Sequence, residues 1–171
     1  MTTKLYIATT LDGYIADKND KLQWLFDVEG EGDNGYGAFY DTIDTVVMGM
    51  STYRWLLENE ADEWGYVGKT CYVLTRQKLP ATKKVIFVNF DELLEHLKTA
   101  TGNIWNVGGG EVIKLFLEHH LIDELQITIA PVLLGDGIPL FPSGTYNEKL
   151  ELIDTKTYGQ FVELHYLVKK W

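Results

Sequence analysis

The sequence has one cysteine, four prolines and no apolar run approaching the roughly 20 residues that span a bilayer. A lone Cys71 cannot close an intramolecular disulfide, and its setting in Thr70-Cys-Tyr-Val-Leu74 reads as a buried thiol. With four scattered histidines it supplies no zinc framework, and no metal is expected. Basic residues are scarce too: 15 Lys and Arg stand against 25 Asp and Glu, a formal net charge of −10. That balance argues against sequence-independent nucleic-acid binding, which needs clustered cations opposite phosphates. It leaves room for a phosphate-bearing small molecule, which backbone N–H groups and one or two cations can hold. The opening Met-Thr-Thr-Lys-Leu-Tyr-Ile lacks the apolar stretch of a secretory signal, so a cytoplasmic protein with no membrane partner is expected.

What is present is a core-forming pattern. A chain of this size buries roughly 70% of its unfolded surface without any staple. No repeat, linker or compositional break divides it, so one domain over residues 1–171 is expected. Lys4 to Thr9 reads as a first strand, followed by a Leu11-Asp-Gly-Tyr14 turn. An acidic, glycine-rich stretch from Asp27 to Gly37 reads as a mobile loop or lid, with a short helix expected from Ala38 to Ile43. Thr45-Val-Val-Met48 reads as a buried strand and Ser51 as the opening of a helix carrying Tyr53, Leu56 and Leu57. The acidic residues 58–63 read as that helix's solvated end. Two more strands follow, at Thr70–Leu74 and Val85–Val88; then Asp91 is expected to cap a helix with Leu93, Leu94 and Leu97 on one face. Ile104-Trp-Asn-Val107 reads as a strand running into Gly108, Gly109 and Gly110, with a helix from Glu111. Three late strands, Glu124–Ala130, Leu150–Tyr158 and Phe161–Val168, end the chain, the last two joined by a tight Tyr158-Gly-Gln-Phe161 turn. Strands alternating with helices imply parallel pairing by right-handed crossovers. The expected fold is therefore α/β: a mixed, mostly parallel central sheet with helices on both faces and an antiparallel C-terminal hairpin.

Ligands in such sheets gather beyond the carboxyl ends of the strands, where strand order reverses. Two junctions qualify: Gly49-Met-Ser-Thr52 and Val107-Gly-Gly-Gly-Glu-Val112. Each brings glycine to a helix start, whose free N–H groups and dipole suit a phosphate. Neither contains G-x-G-x-x-G, and each glycine also has a plain turn-forming reading. Asp27, three residues after Trp24, is either a proton-relaying carboxyl or the start of a solvated acidic loop. Asp12 has a site reading and a turn reading. The alternating acids from Asp27 to Asp33 lack the closing Glu of a calcium loop. Trp64, Tyr66 and Trp105 read as core, whereas Trp24, beside the loop, is placed to cover a planar ligand.

Read together, Ala8-Thr-Thr-Leu-Asp-Gly-Tyr-Ile-Ala16, Met48-Gly-Met-Ser-Thr-Tyr53, Val73-Leu-Thr-Arg76 and Val107-Gly-Gly-Gly110 resemble, in order and spacing, the dihydrofolate reductase superfamily. Leu121-Ile-Asp-Glu-Leu-Gln126 and Ala130-Pro-Val-Leu-Leu-Gly-Asp-Gly-Ile-Pro-Leu-Phe141 resemble its riboflavin-biosynthesis branch, the RibD-type C-terminal reductase domain. The resemblance implies a dihydrofolate-reductase-like three-layer fold and an NADPH-dependent reductase of a pyrimidine- or pterin-like substrate, of the phosphoribosylaminouracil reductase type. Dihydrofolate reduction and a non-catalytic nucleotide-binding relative are the alternatives, and NADH remains a possible cofactor. It places Ala8 and Ile15 at the nicotinamide and Gly49, Met50, Ser51 and Thr52 at the pyrophosphate. Leu74, Thr75 and Arg76 fall near the adenosine 2′-phosphate, and Val107, Gly108, Gly109, Gly110, Glu111 and Val112 close over the pyrophosphate and nicotinamide. Asp12 falls at the cofactor–substrate junction. Association into a homodimer through the late strands is implied as well. Met50 stands where relatives commonly have Arg, and Val107 where riboflavin reductases commonly have Glu. The chain carries no His-x-Glu with Pro-Cys-x-x-Cys deaminase signature.

Overall fold

The computed structural model describes residues 1–59 and 63–170, so part of the acidic 58–63 stretch lies outside the described residues. In chain order the elements are β1 (Thr2–Thr10), β2 (Tyr14–Ala16), α1 (Gln23–Phe26), α2 (Tyr36–Tyr40), β3 (Thr45–Gly49), α3 (Met50–Asn59), β4 (Thr70–Leu74) and β5 (Ile86–Val88). Then come α4 (Phe90–Thr99), β6 (Asn103–Gly108), α5 (Gly110–Glu118), β7 (Glu124–Ala130), β8 (Ile138–Pro139), β9 (Leu150–Tyr158) and β10 (Phe161–Val168). Eight strands form one sheet in the order β5-β4-β3-β6-β1-β7-β10-β9. β10 pairs antiparallel with both β7 and β9, and so runs against the other seven. This is the expected three-layer α/β arrangement with its C-terminal hairpin.

The period-2 alternation of the strands decides which helix packs where. On β3, Val47 turns toward α4 and α5, joining Leu5, Ile104, Leu93, Ile113 and Phe116 in one core. Its neighbours Val46 and Met48 turn the other way, to Phe39 and Ile43 around α2 and to Tyr53 and Leu56 of α3. A third, small cluster holds Trp24 against Ala130 and Phe161.

Several local expectations are corrected. Asn89 rather than Asp91 caps α4: its side chain accepts from Glu92 N at 2.8 Å, and the Glu92 carboxylate accepts from Asn89 N at 3.1 Å. This reciprocal capping box satisfies two otherwise orphaned donors, and it leaves Asp91 in the first turn, where it complements the helix dipole. The short helix begins at Tyr36, two residues earlier than expected, because Asp33 accepts from Gly35 N and Gly37 N and organises the approach to it. Those N–H groups hold the Asp33 carboxyl below its ordinary range. The acidic stretch read as a mobile lid is docked: Gly159 N donates to Glu31 and Gln160 N to the Glu29 carbonyl. The little β2·β8 sheet was not legible, since its strands are two and three residues long.

Asn89→Ala is expected to lower unfolding free energy by about 1 kcal/mol, and Asp91→Ala by less than about half of that. Urea denaturation of both variants checks this; equal losses would contradict the cap assignment.

Candidate active site: a two-lobed cleft at the crossing of β3 and β6

Neighbouring strands β3 and β6 send their following helices to opposite faces, α3 over one core and α5 over the other. That divergence opens a crevice at the carboxyl ends of the strands. Glycines sit at close approaches on both connections. A Cβ on Gly110 would stand 2.6 Å from the Pro139 carbonyl oxygen, and one on Gly49 would stand 3.0 Å from Val112 Cγ2. Gly108 has φ +101°, and the Gly108–Gly109 peptide is cis. Fully buried Asn106 fixes this turn by accepting from Gly108 N at 2.9 Å.

The resulting cleft measures about 1460 Å³, beyond the roughly 300–1,000 Å³ of a single drug-sized site. It has room for a dinucleotide and a second small molecule. It brings together Ala8, Ile15, Gly49, Met50, Ser51 and Thr52 with Leu74, Thr75 and Arg76. Val107, Gly109, Gly110, Glu111 and Val112 complete that wall, and Gly108 lies within the same turn.

Strand alternation sorts the walls into two lobes. On the side of α4 and α5 lie Thr75, Arg76, Asn89, Phe90 and Lys114, and an adjoining hollow behind Arg76 includes Lys78. On the side of α2 and α3 lie Tyr6, Tyr36, Trp55, Tyr66 and Trp105, with Leu22 and Leu25 from the start of α1. Tyr6 stacks on Phe39 at 3.9 Å between ring centroids, and the edge of Trp105 meets Phe39 at 5.3 Å. Burial, with the Glu163 carboxylate as the next cause, pushes the Tyr6 hydroxyl well above its ordinary range, so it stays a neutral phenol. Glu163 is only 4% exposed and accepts from Gln126 Nε2 at 3.4 Å.

The first lobe fits a nicotinamide dinucleotide. α5 is nine residues long and its N-cap, Gly109, offers no side chain. The Gly109 carbonyl accepts from Val112 N and Ile113 N, so the helix-start donors without a partner inside the helix are those of Gly110 and Glu111, and Glu111 puts a carboxylate in that first turn. α3 carries no acid in its first turn. The glycines let this turn pack closely against Val112 and Pro139, and Arg76 and Lys114 are the cations of the lining, beside the acids Asp91, Glu111 and Glu118.

Three residues singled out from the sequence fall outside the cleft wall. Asp12 serves the turn: its carboxylate accepts from Thr10 Oγ1 at 2.6 Å, Leu134 N at 3.2 Å and Gly135 N at 2.8 Å. The Thr10 hydroxyl first, then the Gly135 N–H, hold it below its ordinary range, the opposite of a proton donor at neutral pH. Asp27 is exposed at the end of α1, accepting from Gln23 one turn back. Trp24 is 8% exposed and packs on Ala130 and Phe161; its neighbours Leu22 and Leu25 line the cleft instead. A four-residue helix can present only one side to the cleft, and the largest apolar ring went inward.

Sequence reasoning passed over Tyr6, Tyr36 and Trp55, and took Tyr66 and Trp105 for core alone. The signal for Tyr6 was available: with period-2 alternation, Tyr6 must share the face of Ala8. Tyr66 and Trp105 are 7% and 5% exposed, so they are core residues that also form a wall.

A sequence model of the RibD C-terminal domain matches residues 3–164. The chain belongs to the RibD C-terminal domain family. It is 45% identical over 169 residues to the uncharacterized protein YwjB of Bacillus subtilis (strain 168), covering 96% of this chain and 97% of that one. It superposes on a putative riboflavin biosynthesis protein from Shewanella sp. PV-4 with a TM-score of 0.89 at 33% identity, covering 99% and 100% of the two chains. Dihydrofolate reductase from Enterococcus faecalis shares the fold at a TM-score of 0.68 and 19% identity, over 99% and 97% of the chains. Within this RibD-type frame the described residues contain no cluster of three or more His, Cys, Asp or Glu able to hold a metal ion. No helix among them is long and apolar enough to cross a membrane.

The Asp12 clamp sets a pH dependence. Its folded pKa lies below the unfolded 3.8, so its stabilisation is complete well above 3.8 and is lost as pH falls through the folded value. Asp12→Asn is therefore expected to melt below the parent at pH 7, with the gap closing as pH falls below 3.8. Parallel melts across that range check it; a gap that persists unchanged at pH 3 would contradict the clamp.

Proposed function

We propose that this chain is an NADPH-dependent reductase of a small heterocyclic substrate, with RibD-type reduction of a ribosylaminopyrimidine as its reference chemistry. The observation that carries the reading is the meeting of two helix starts with Arg76 on one side of the Gly108–Gly110 turn and an aromatic lobe on the other. The Enterococcus faecalis enzyme that shares the fold is a complex with NADP(H), which supports the same cofactor class here.

In this reading the first N–H groups of α3 and α5, with Ser51 and Thr52, bind the pyrophosphate. Arg76 takes the 2′-phosphate by a charge-assisted contact, with Thr75 beside it, and so fills the role that Met50 cannot. Ala8, Ile15 and Val107 present an apolar floor to the nicotinamide, excluding water from the reacting ring. When bound, the cofactor would supply a hydride to a substrate ring in direct contact with its nicotinamide. Tyr6, kept neutral, orients that ring by donating a hydrogen bond to a carbonyl or ring nitrogen. The proton that completes the reduction comes from solvent at the cleft mouth, because neither Asp12 nor Asp27 reaches the wall. The protein contributes orientation, charge matching and dryness.

Quenching of Trp55 and Trp105 by titrated NADPH is the direct check, since both line the cleft. Saturable quenching is expected. Arg76→Ala should weaken NADPH by about tenfold or more and leave NADH within about twofold. Absence of saturation with either dinucleotide at millimolar concentration would overturn the reading.

A further inference from the structure

We infer that the aromatic lobe of the cleft takes a planar ring system bearing no phosphate and no carboxylate. The inference rests on the reading of the cleft as a nicotinamide-dependent reductase site and narrows its substrate.

The first ground is the shape and chemistry of the lobe. Tyr6, Tyr36, Trp55 and Trp105 line the lobe together with the apolar Leu22 and Leu25. Tyr36 lies 6.4 Å from Tyr6 and 6.0 Å from Trp105, centroid to centroid, at interplanar angles of 50° and 63°. Rings in contact at such angles make one continuous aromatic wall, on which a flat molecule can stack or meet a ring edge.

The second ground is charge. The lobe's lining contains one ionised side chain, Asp20, which is negative. The buried Glu163 carboxylate lies close enough to raise Tyr6, and Asp33 adds to the same effect. The cations of the cleft lining, Arg76 and Lys114, lie after β4 and on α5, on the α4/α5 side, which also carries Asp91, Glu111 and Glu118. Three lysines approach the aromatic cluster without lining the lobe, Lys84 by way of the Trp64 ring at 5.7 Å. Lys4 Nζ is 6.0 Å from the Phe39 ring centroid, and Lys69 Nζ donates to the carbonyls of Tyr40 and Ile43. A phosphate or carboxylate placed here would leave water without a cation to meet it and with carboxylates nearby, a cost that discriminates strongly against anions. An uncharged ring gives up little hydration and gains ring contacts. The lobe therefore lacks what a phosphoribosyl substrate, or the glutamate tail of a folate, would need within the wall itself.

The test uses the full chain saturated with NADP⁺ at pH 7, its binding verified first by the quenching titration. Matched probes are then titrated by their own fluorescence: pterin against pterin carboxylate, and riboflavin against riboflavin phosphate. The uncharged member of each pair is expected to bind at least about tenfold more tightly. Leu25→Arg, which adds a cation to the lobe wall, is expected to narrow that ratio while NADP⁺ binding stays within about twofold. Equal or tighter binding of the anionic members to the parent protein would overturn the inference, and so would failure of both members to saturate. Either result with intact NADP⁺ binding leaves the reductase reading standing; loss of NADP⁺ binding itself removes both.

Discussion

The approach of β3 to β6 constrains the rest of the molecule. Their helices depart to opposite faces, and each junction packs a glycine closely against a neighbouring segment. Gly49 meets Val112 Cγ2 and Gly110 meets the Pro139 carbonyl at distances where a side chain has no room. Val112 and Pro139 are themselves held, one in the α5 core and the other by the β2·β8 pairing. Through the Gly49–Val112 contact the core packing of α5 thus bears on how closely the two helix starts converge, and that convergence is what the proposed dinucleotide site depends on.

From the same divergence comes a division of chemistry. The α4/α5 side collects the cleft's cations, and the α2/α3 side collects its rings. In a chain of net charge −10, both cations of the cleft lining, Arg76 and Lys114, fall on the α4/α5 side, beside Asp91, Glu111 and Glu118, while the aromatic side has Asp20 and no cation. Global charge was a poor guide to this cleft because binding depends on the few groups within about a Debye length of the ligand. Buried Glu163, second to burial itself in raising Tyr6, adds to the contrast by placing a carboxylate near that ring.

The strands were readable in the sequence because each is a nearly continuous β-branched or apolar run between turn residues. Thr70–Leu74, Glu124–Ala130 and the final hairpin fall at the bounds their patterns suggested. Helix starts were less legible: Asn89 and Asp91 are both good caps, and only the reach of Glu92 back to Asn89 N decides between them. The glycine junctions could be located but not joined, since nothing in the one-dimensional pattern places Pro139 against Gly110. Trp24 and Asp27 drew notice as residue types suited to a site, yet α1 buries the first and exposes the second. Tyr6 drew none, although its alternation with Ala8 put it on the cleft face. The general lesson is local: strand register assigns walls well, and residue type alone assigns them poorly.

The central claim is that the two helix starts at the β3–β6 crossing hold a nicotinamide dinucleotide. Amide hydrogen exchange with and without saturating NADPH tests it most directly, because it reads backbone N–H groups themselves. Protection concentrated in the peptides spanning Met50–Thr52 and Gly109–Val112, with the exposed edge strand β9 unchanged, is the predicted result. Saturation by NADPH with no protection at either helix start would contradict it.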